Sequence, residues 1–137
     1  MISLAVAVAW LWLGMVLAIS FLEAPLKFRV VDIATGLGIG RVVFRALNAV
    51  EAVLAVLLGV ALLSAYPGAT AATAGILAIA VLVGQLVAVR PALTRRSNAV
   101  LAGTSPTDAP RSHAHYWYVG LEVIKVAGLL TAGIVLL

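Results

Sequence analysis

The chain is organised as four long apolar runs separated by polar or glycine-containing connections. The runs cover residues 2–22, 42–63, 71–89 and 116–137. A helix of about 20 apolar residues is long enough to cross the hydrocarbon core of a bilayer, so each run predicts a membrane-spanning helix. The predicted fold is therefore all-α: a polytopic integral membrane four-helix bundle that forms a single transmembrane domain over residues 1–137.

Composition supports this fold class. Hydrophobic residues make up 64% of the 137 positions and charged residues only 10%, which leaves more apolar surface than a soluble domain can bury. A bilayer must supply the missing apolar environment, and the length leaves no room for a separate soluble catalytic domain. The absence of cysteine excludes disulfides, thiolate metal sites and redox dithiols. The first run lacks a basic n-region, so it is interpreted as a retained helix rather than a signal peptide.

The basic residues are concentrated in two of the connections. Residues 23–41 and 90–115, together with Arg45 one turn further on, hold eight of the nine lysines and arginines, whereas the connection at 64–70 is uncharged. The positive-inside rule therefore predicts that both basic connections are cytoplasmic and that the N and C termini are non-cytoplasmic. The predicted localisation is the cell membrane, multi-pass. We interpret the net charge of +4 as a topology signal and predict no nucleic-acid partner.

Two apolar runs carry charged residues at helical spacing. In the second run Arg41, Arg45, Asn48 and Glu51 are separated by four, three and three positions, which places them on one helix face. At a rise of about 1.5 Å per residue, Glu51 lies roughly 13 Å inside the start of the second run, near the bilayer midplane. A carboxylate at that depth should face the protein interior rather than lipid.

The fourth run repeats this arrangement. His115, Tyr118, Glu122 and Lys125 are separated by three, four and three positions, so they also share one face, and Glu122 can pair with Lys125. Charged residues at the centre of a membrane helix cost at least about 2.5 kcal/mol each on insertion scales. We therefore expect the second and fourth helices to face each other.

Two interpretations of these residues stay open. They can form a buried ion-pair network that only fixes helix register. Alternatively, they line a cavity open to the cytoplasm, because intramembrane ionisable residues are functional-site candidates. The predicted ligand-binding residues are Asn48, Glu51, Tyr118, Glu122 and Lys125.

Glycine and basic residues near the second run suggest an anion site. Residues 36–41 precede the run, and helix N-terminal amides favour anions. With Lys27, Arg29, Arg41 and Arg45 nearby, a lipid phosphate or diphosphate would fit, although a flexible turn with topology-setting charges is the simpler alternative. The glycine-rich segment 30–40 is too short to span and is predicted to lie along the interface or to dip back into it. His113 and His115 point to different faces and lack a third ligand, so we predict no metal and no cofactor.

Several short motifs resemble the transmembrane-protein-205-like family of small four-helix membrane proteins. They are residues 10–14 (WLWLG), 23–29 (EAPLKFR), 40–45 (GRVVFR), 90–93 (RPAL) and 111–113 (RSH). The resemblance implies the four-helix architecture but no established reaction. The chain departs from that family at Glu51, Glu122 and Lys125, whose positions are mainly apolar or variable there.

The leading functional hypothesis is a cytoplasm-facing intramembrane polar cavity that binds or transports a small ion or an amphipathic ligand. Membrane lipid is the expected partner, and transport would favour a homo-oligomer. The first alternative is a membrane-embedded acid–base enzyme, an isomerase or cyclase acting on an isoprenoid or other lipid, with Glu51, Glu122 and His115 as catalytic residues. The second alternative is an accessory subunit of a membrane complex.

Overall fold

The computed structural model describes residues 1–103 and 113–137, and all regular elements in these ranges are helical. Four helices in them are long and apolar enough to cross a membrane: α1 (Ile2–Lys27), α2 (Ile33–Ala65), α3 (Ala69–Leu101) and α4 (His113–Leu136). The prediction of an all-helical chain with four helices of spanning length is confirmed. The part of the second basic connection at 104–112, including Arg111, lies outside the described residues.

The helices extend beyond the apolar runs that predicted them. α2 begins at Ile33 rather than 42, because Asp32 caps it: the Asp32 carboxylate accepts a hydrogen bond from the Thr35 backbone N–H at 2.9 Å. The expectation of an interfacial or re-entrant segment at 30–40 is therefore corrected, since residues 33–40 form the first turns of α2. α3 likewise continues to Leu101. Hydropathy delimits the part of a helix that suits hydrocarbon, not the helix itself.

Two helices contain a π-helical segment, Leu17–Glu23 in α1 and Gln85–Val89 in α3. Each segment ends two residues before a proline, Pro25 or Pro91. A proline ring in a continuous helix lacks an N–H and clashes with the carbonyl of the preceding turn, and a widened turn relieves that clash. Both helices therefore pass through their prolines, and the residues in the widened turns are rotated relative to a regular α-helix.

The four helices pack in a square. α1 contacts α2 and α4, and α3 contacts the same two helices, so α2 and α4 occupy opposite corners. Small residues bring α3 and α4 close together: a Cβ built at Gly128 would lie 3.0 Å from the Ala74 carbonyl oxygen. Apolar side chains fill the core of the half that contains the 64–70 turn and both termini, among them Leu58, Leu62, Leu129 and Leu136.

The outer surface of the bundle is apolar. Large aliphatic side chains such as Val56, Leu63, Ile76 and Val87 are more than half exposed, and only 33–39% of each spanning window is buried. Exposed apolar surface on this scale suits lipid better than water. The four helices are compatible with a membrane helix bundle.

Candidate functional site: an ion-pair cluster beneath a basic cavity

Lys125 lies at the centre of a buried polar cluster. Its Nζ is 2.5 Å from Glu51 Oε2, 2.6 Å from Glu122 Oε1 and 2.9 Å from Gln85 Oε1. All four side chains are almost completely buried. An ammonium group has three N–H donors, and three acceptors surround this one, so the lysine is fully satisfied. We call Glu51, Gln85, Glu122 and Lys125 the ion-pair cluster.

The cluster joins helices that lie across the bundle from each other. Glu51 belongs to α2 and Lys125 to α4, the two helices at opposite corners, while Gln85 enters from α3. Only long side chains, such as those of glutamate and lysine, can reach each other across this diagonal. The polar faces that the sequence placed on the second and fourth helices are turned toward each other, and α1 and α3 close the sides.

α1 contributes two hydrogen-bond donors to the cluster that the sequence analysis missed. Trp12 Nε1 donates to Glu51 Oε2 at 2.9 Å, and Ser20 Oγ donates to Glu122 Oε2 at 2.8 Å. The Trp12 ring is fully buried, so it contacts the core and not the bundle's outer surface. A signal existed in the spacing of Ala5, Trp12 and Val16, which share one inward face. Ser20 lies on the same face, within the widened turn of α1.

Gln85 was also missed, because an uncharged polar residue in a long apolar run carries little signal by itself. It is the first residue of the π-helical segment of α3. Its amide group bridges the cluster: Oε1 accepts from Lys125, and Nε2 lies 3.4 Å from both the Tyr118 carbonyl oxygen and Glu122 Oε1. Single π-helical turns often occur at functional sites, and both of these turns supply a residue that contacts the cluster.

The cluster contains two carboxylates and one ammonium. Each charge would be costly in hydrocarbon, and each is offset by an opposite charge or a hydrogen bond. Within the described residues, Glu51 Oε1 and the Tyr118 hydroxyl are buried without a hydrogen-bond partner. The acceptor capacity of the carboxylates therefore exceeds what Lys125, Trp12, Ser20 and Gln85 satisfy.

A cavity of about 380 Å³ lies beside the cluster at the end of the bundle that carries the basic connections. Among its described lining residues are five with cationic side chains and one carboxylate, that of Glu122. The cations come from three helices: Lys27 (α1), Arg41 and Arg45 (α2), Arg90 and Arg96 (α3). We call this space the basic cavity. Glu122 belongs to both structures and so marks where the cluster meets the cavity.

Aromatic rings hold some of these cations in place. The Phe44 ring contacts two of them: Lys27 Nζ is 5.8 Å from its centroid, and the Arg90 guanidinium is 4.8 Å from it. Arg90 also lies 5.4 Å from the Tyr118 ring, and Phe44 packs edge-on against Tyr118 at 6.1 Å. Cation–π contacts of this kind pre-organise the charged groups. Phe44 was not singled out from the sequence because one phenylalanine in an apolar run has no distinguishing pattern.

The two predicted stripes are divided between the cavity and the cluster. Arg41, Arg45 and Asn48 line the cavity on α2, and His115, Tyr118 and Glu122 line it on α4. Glu51 and Lys125, one turn deeper, are buried and do not line it. The three catalytic residues of the enzyme hypothesis are therefore not all at the cavity: Glu122 and His115 line it, while Glu51 lies beneath it.

The predicted anion-binding residues are divided in the same way. Lys27, Arg41 and Arg45 line the cavity, while Arg29 is exposed and does not line it. The backbone amides expected to bind an anion are used within α2, since Thr35 donates to Asp32 and Gly36 N donates to the Asp32 carbonyl oxygen. That part of the expectation is corrected, and side chains supply the positive charge. His113 is exposed at the start of α4.

The other half of the bundle is closed by apolar side chains. In the described residues the buried charged or amide side chains are those of the ion-pair cluster, and beyond it the core consists of residues such as Leu54, Leu58, Ala132 and Leu136. The basic cavity therefore does not continue into that half of the bundle. No group of three or more histidine or acidic side chains in the described part of the chain is arranged to hold a metal ion.

Comparison of the chain with protein-family models, with curated proteins and with solved structures returns no match. The similarity to transmembrane-protein-205-like proteins thus stays a resemblance of short motifs.

Proposed function

We propose that this protein binds an amphiphile whose head group carries an anionic group such as a phosphate, with the head group in the basic cavity and the hydrocarbon tail in the surrounding lipid. The observation that carries the proposal is the convergence of Lys27, Arg41, Arg45, Arg90 and Arg96 on one cavity. Positive charges that only set topology need no common target. Here they surround one space, and aromatic contacts position two of them.

Arginine chemistry favours a phosphate or a similar oxyanion. A guanidinium group is planar and offers several N–H donors that match two oxygens of a phosphate, and it is less strongly hydrated than an ammonium group. Four of the five cations at the cavity are arginines. The positions of Arg90 against Phe44 and Tyr118 reduce the entropy that would be lost when a ligand is bound.

The size and apolar lining of the cavity support an amphiphile over a free ion. A volume of about 380 Å³ holds a head group but not a whole lipid. Phe21, Phe28 and Val119 line the cavity and are more than one third exposed, so they offer apolar surface beside the charges. A tail leaving the cavity past such residues would stay in contact with hydrocarbon.

The closed apolar half of the bundle favours binding over conduction by a single chain. Transport would need either a conformational change or the homo-oligomer expected from the sequence. In this proposal the basic connections are cytoplasmic, so the cavity takes its ligand from the inner leaflet. The ion-pair cluster forms the floor of the cavity and keeps the four helices in register.

The test is a binding comparison with purified protein in a neutral detergent. Short-chain phosphatidic acid, diacylglycerol with the same chains, and glycerol 3-phosphate separate the contributions of the head group and the tail. We expect phosphatidic acid to bind at least about tenfold tighter than either of the others, because only it satisfies both the charges and the apolar wall. Equal binding of glycerol 3-phosphate would favour a small-ion site, and equal binding of diacylglycerol would contradict the proposal.

A matched pair of variants ties the binding to the cavity. Arg90→Gln removes a cation that lines the cavity, and Arg29→Gln makes the same change at an exposed site outside it. The Arg90 variant should lose about tenfold in phosphatidic acid affinity, and the Arg29 variant should bind as the wild type does. Equal losses in both would indicate nonspecific attraction to a basic surface. Mass spectrometry of the recovered lipid checks the enzyme hypothesis, which predicts a chemically altered product.

A further inference from the structure

We infer that the head group of the ligand carries a hydrogen-bond donor next to its anionic group, and that Glu122 with Ser20 recognises this donor. The inference rests on the proposed function and specifies the ligand class. It points to a head of the phosphoethanolamine type, in which a phosphate is joined to an ammonium group by a short spacer. The reason is the set of hydrogen-bonding groups that Ser20 and Glu122 place at the floor of the cavity.

The floor presents acceptors rather than donors. The single hydroxyl hydrogen of Ser20 is directed to Glu122 Oε2 at 2.8 Å, so both oxygens have only lone pairs left for a ligand. Ser20 and Glu122 both line the cavity. A head group made only of acceptor oxygens would face like groups here. A donor can bond to either oxygen.

The charges of the cavity also differ between its walls and its floor. Its walls carry five cationic side chains, and its floor touches a cluster with two carboxylates and one ammonium. Lys125 already directs its three donors to Glu51, Glu122 and Gln85, so it has none left for an incoming anion. A zwitterionic head places its phosphate at the arginines and its ammonium at Glu122.

The depth of the floor suits a short spacer. Arg90 packs against the Tyr118 ring. Glu122 lies one helical turn from Tyr118, a rise of roughly 6 Å along α4. The two-carbon link of a phosphoethanolamine is of this order.

The test compares two short-chain phospholipids with the same chains and the same net charge, phosphatidylethanolamine and phosphatidylcholine. The ethanolamine ammonium donates N–H groups and the choline group does not. We expect the wild-type protein to bind phosphatidylethanolamine about tenfold tighter or more, the effect of one hydrogen bond between charged groups. Equal affinities, or tighter binding of phosphatidylcholine, would overturn the inference.

Glu122→Gln distinguishes donor recognition from simple exclusion of the bulkier choline group. If Glu122 recognises the donor, the variant should bind the two lipids within about threefold of each other, because the charge that assists the hydrogen bond is gone. If size alone discriminates, the preference survives in the variant and the inference is wrong. Ser64→Ala, a polar change at an exposed site outside the lining, serves as the control and should keep the wild-type preference.

The wild-type comparison stands even if the Glu122 variant fails to fold, which a thermal melt will show. Failure of the inference is distinguishable from failure of the proposed function. If phosphatidic acid binds and the ethanolamine and choline lipids do not differ, only the inference falls. If none of the phospholipids binds, both fall.

Discussion

Lys125 of α4 and Glu51 of α2 are 74 positions apart in the chain, and their side chains meet at the centre of the bundle with Nζ 2.5 Å from Oε2. The two helices stand at opposite corners, so this contact crosses the whole core. Glu122, on the same helix as the lysine, binds the same ammonium at 2.6 Å. One lysine thus serves as the counter-ion of two carboxylates. Loss of the lysine leaves both carboxylates unpaired, whereas loss of one carboxylate leaves the other paired with the lysine.

The first prediction is that the lysine matters more than either carboxylate. Lys125→Met leaves Glu51 and Glu122 buried without a counter-ion and should lower the free energy of unfolding by about 3–5 kcal/mol. Glu51→Gln leaves one carboxylate opposite one ammonium and should cost about 1–2 kcal/mol, since the amide oxygen still accepts from Trp12 and Lys125. Thermal or denaturant unfolding in detergent measures both changes.

Ile124→Met is the matched control for the lysine variant, because the neighbouring Ile124 is exposed on the outer surface. It should unfold within about 0.5 kcal/mol of the wild type. The reverse order, with Glu51→Gln more damaging than Lys125→Met, would show that the charge balance described here does not govern stability.

The second prediction concerns the indole hydrogen bond of Trp12. Trp12→Phe keeps an aromatic ring in the core but removes the N–H that donates to Glu51 Oε2 at 2.9 Å. The expected loss is about 2 kcal/mol, typical of a hydrogen bond to a charged group. Trp117→Phe makes the same change at an exposed position and should have little effect. Comparable melting temperatures for both variants would exclude a role of this hydrogen bond in stability.

The third prediction tests the close approach of α3 and α4. A Cβ at Gly128 would lie 3.0 Å from the Ala74 carbonyl oxygen, which is backbone and cannot rotate away. Gly128→Ala should therefore push the helices apart and cost about 1–3 kcal/mol. At Gly120, on the same helix, a Cβ meets nothing within 4 Å. Gly120→Ala should be neutral or stabilising, since alanine favours the helix, and a stable Gly128→Ala protein would contradict the packing.

The fourth prediction is the orientation in the membrane. The chain has no cysteine, so single cysteines can be placed at Val30 and Tyr66, which are 86% and 87% exposed at opposite ends of the bundle. The positive-inside rule predicts that an impermeant thiol reagent labels the cysteine at Tyr66 in intact cells. The cysteine at Val30 should react only after permeabilisation. The opposite pattern would place the basic cavity at the outer leaflet.

Much of the architecture follows from local sequence patterns. Long apolar runs identified all four helices, because partition into hydrocarbon depends on the composition of a segment and not on its partners. The spacing of Arg45, Asn48 and Glu51, and of Tyr118, Glu122 and Lys125, placed each set on one face, because helical geometry is set by the 3.6-residue repeat. The cost of charge in lipid then predicted that the two faces meet.

Tertiary structure decided which other residues join them. Trp12 and Ser20 bond to partners 39 and 102 positions away, and no local pattern encodes such a pairing. Ser20 and Gln85 both lie in the widened turns before Pro25 and Pro91. By itself the sequence determined that charges must lie inside the bundle. Only the packing of the four helices decided which charged side chains form the closed ion-pair cluster and which line the open cavity. This division depends on the depth of each side chain in the bundle once α2 and α4 face each other.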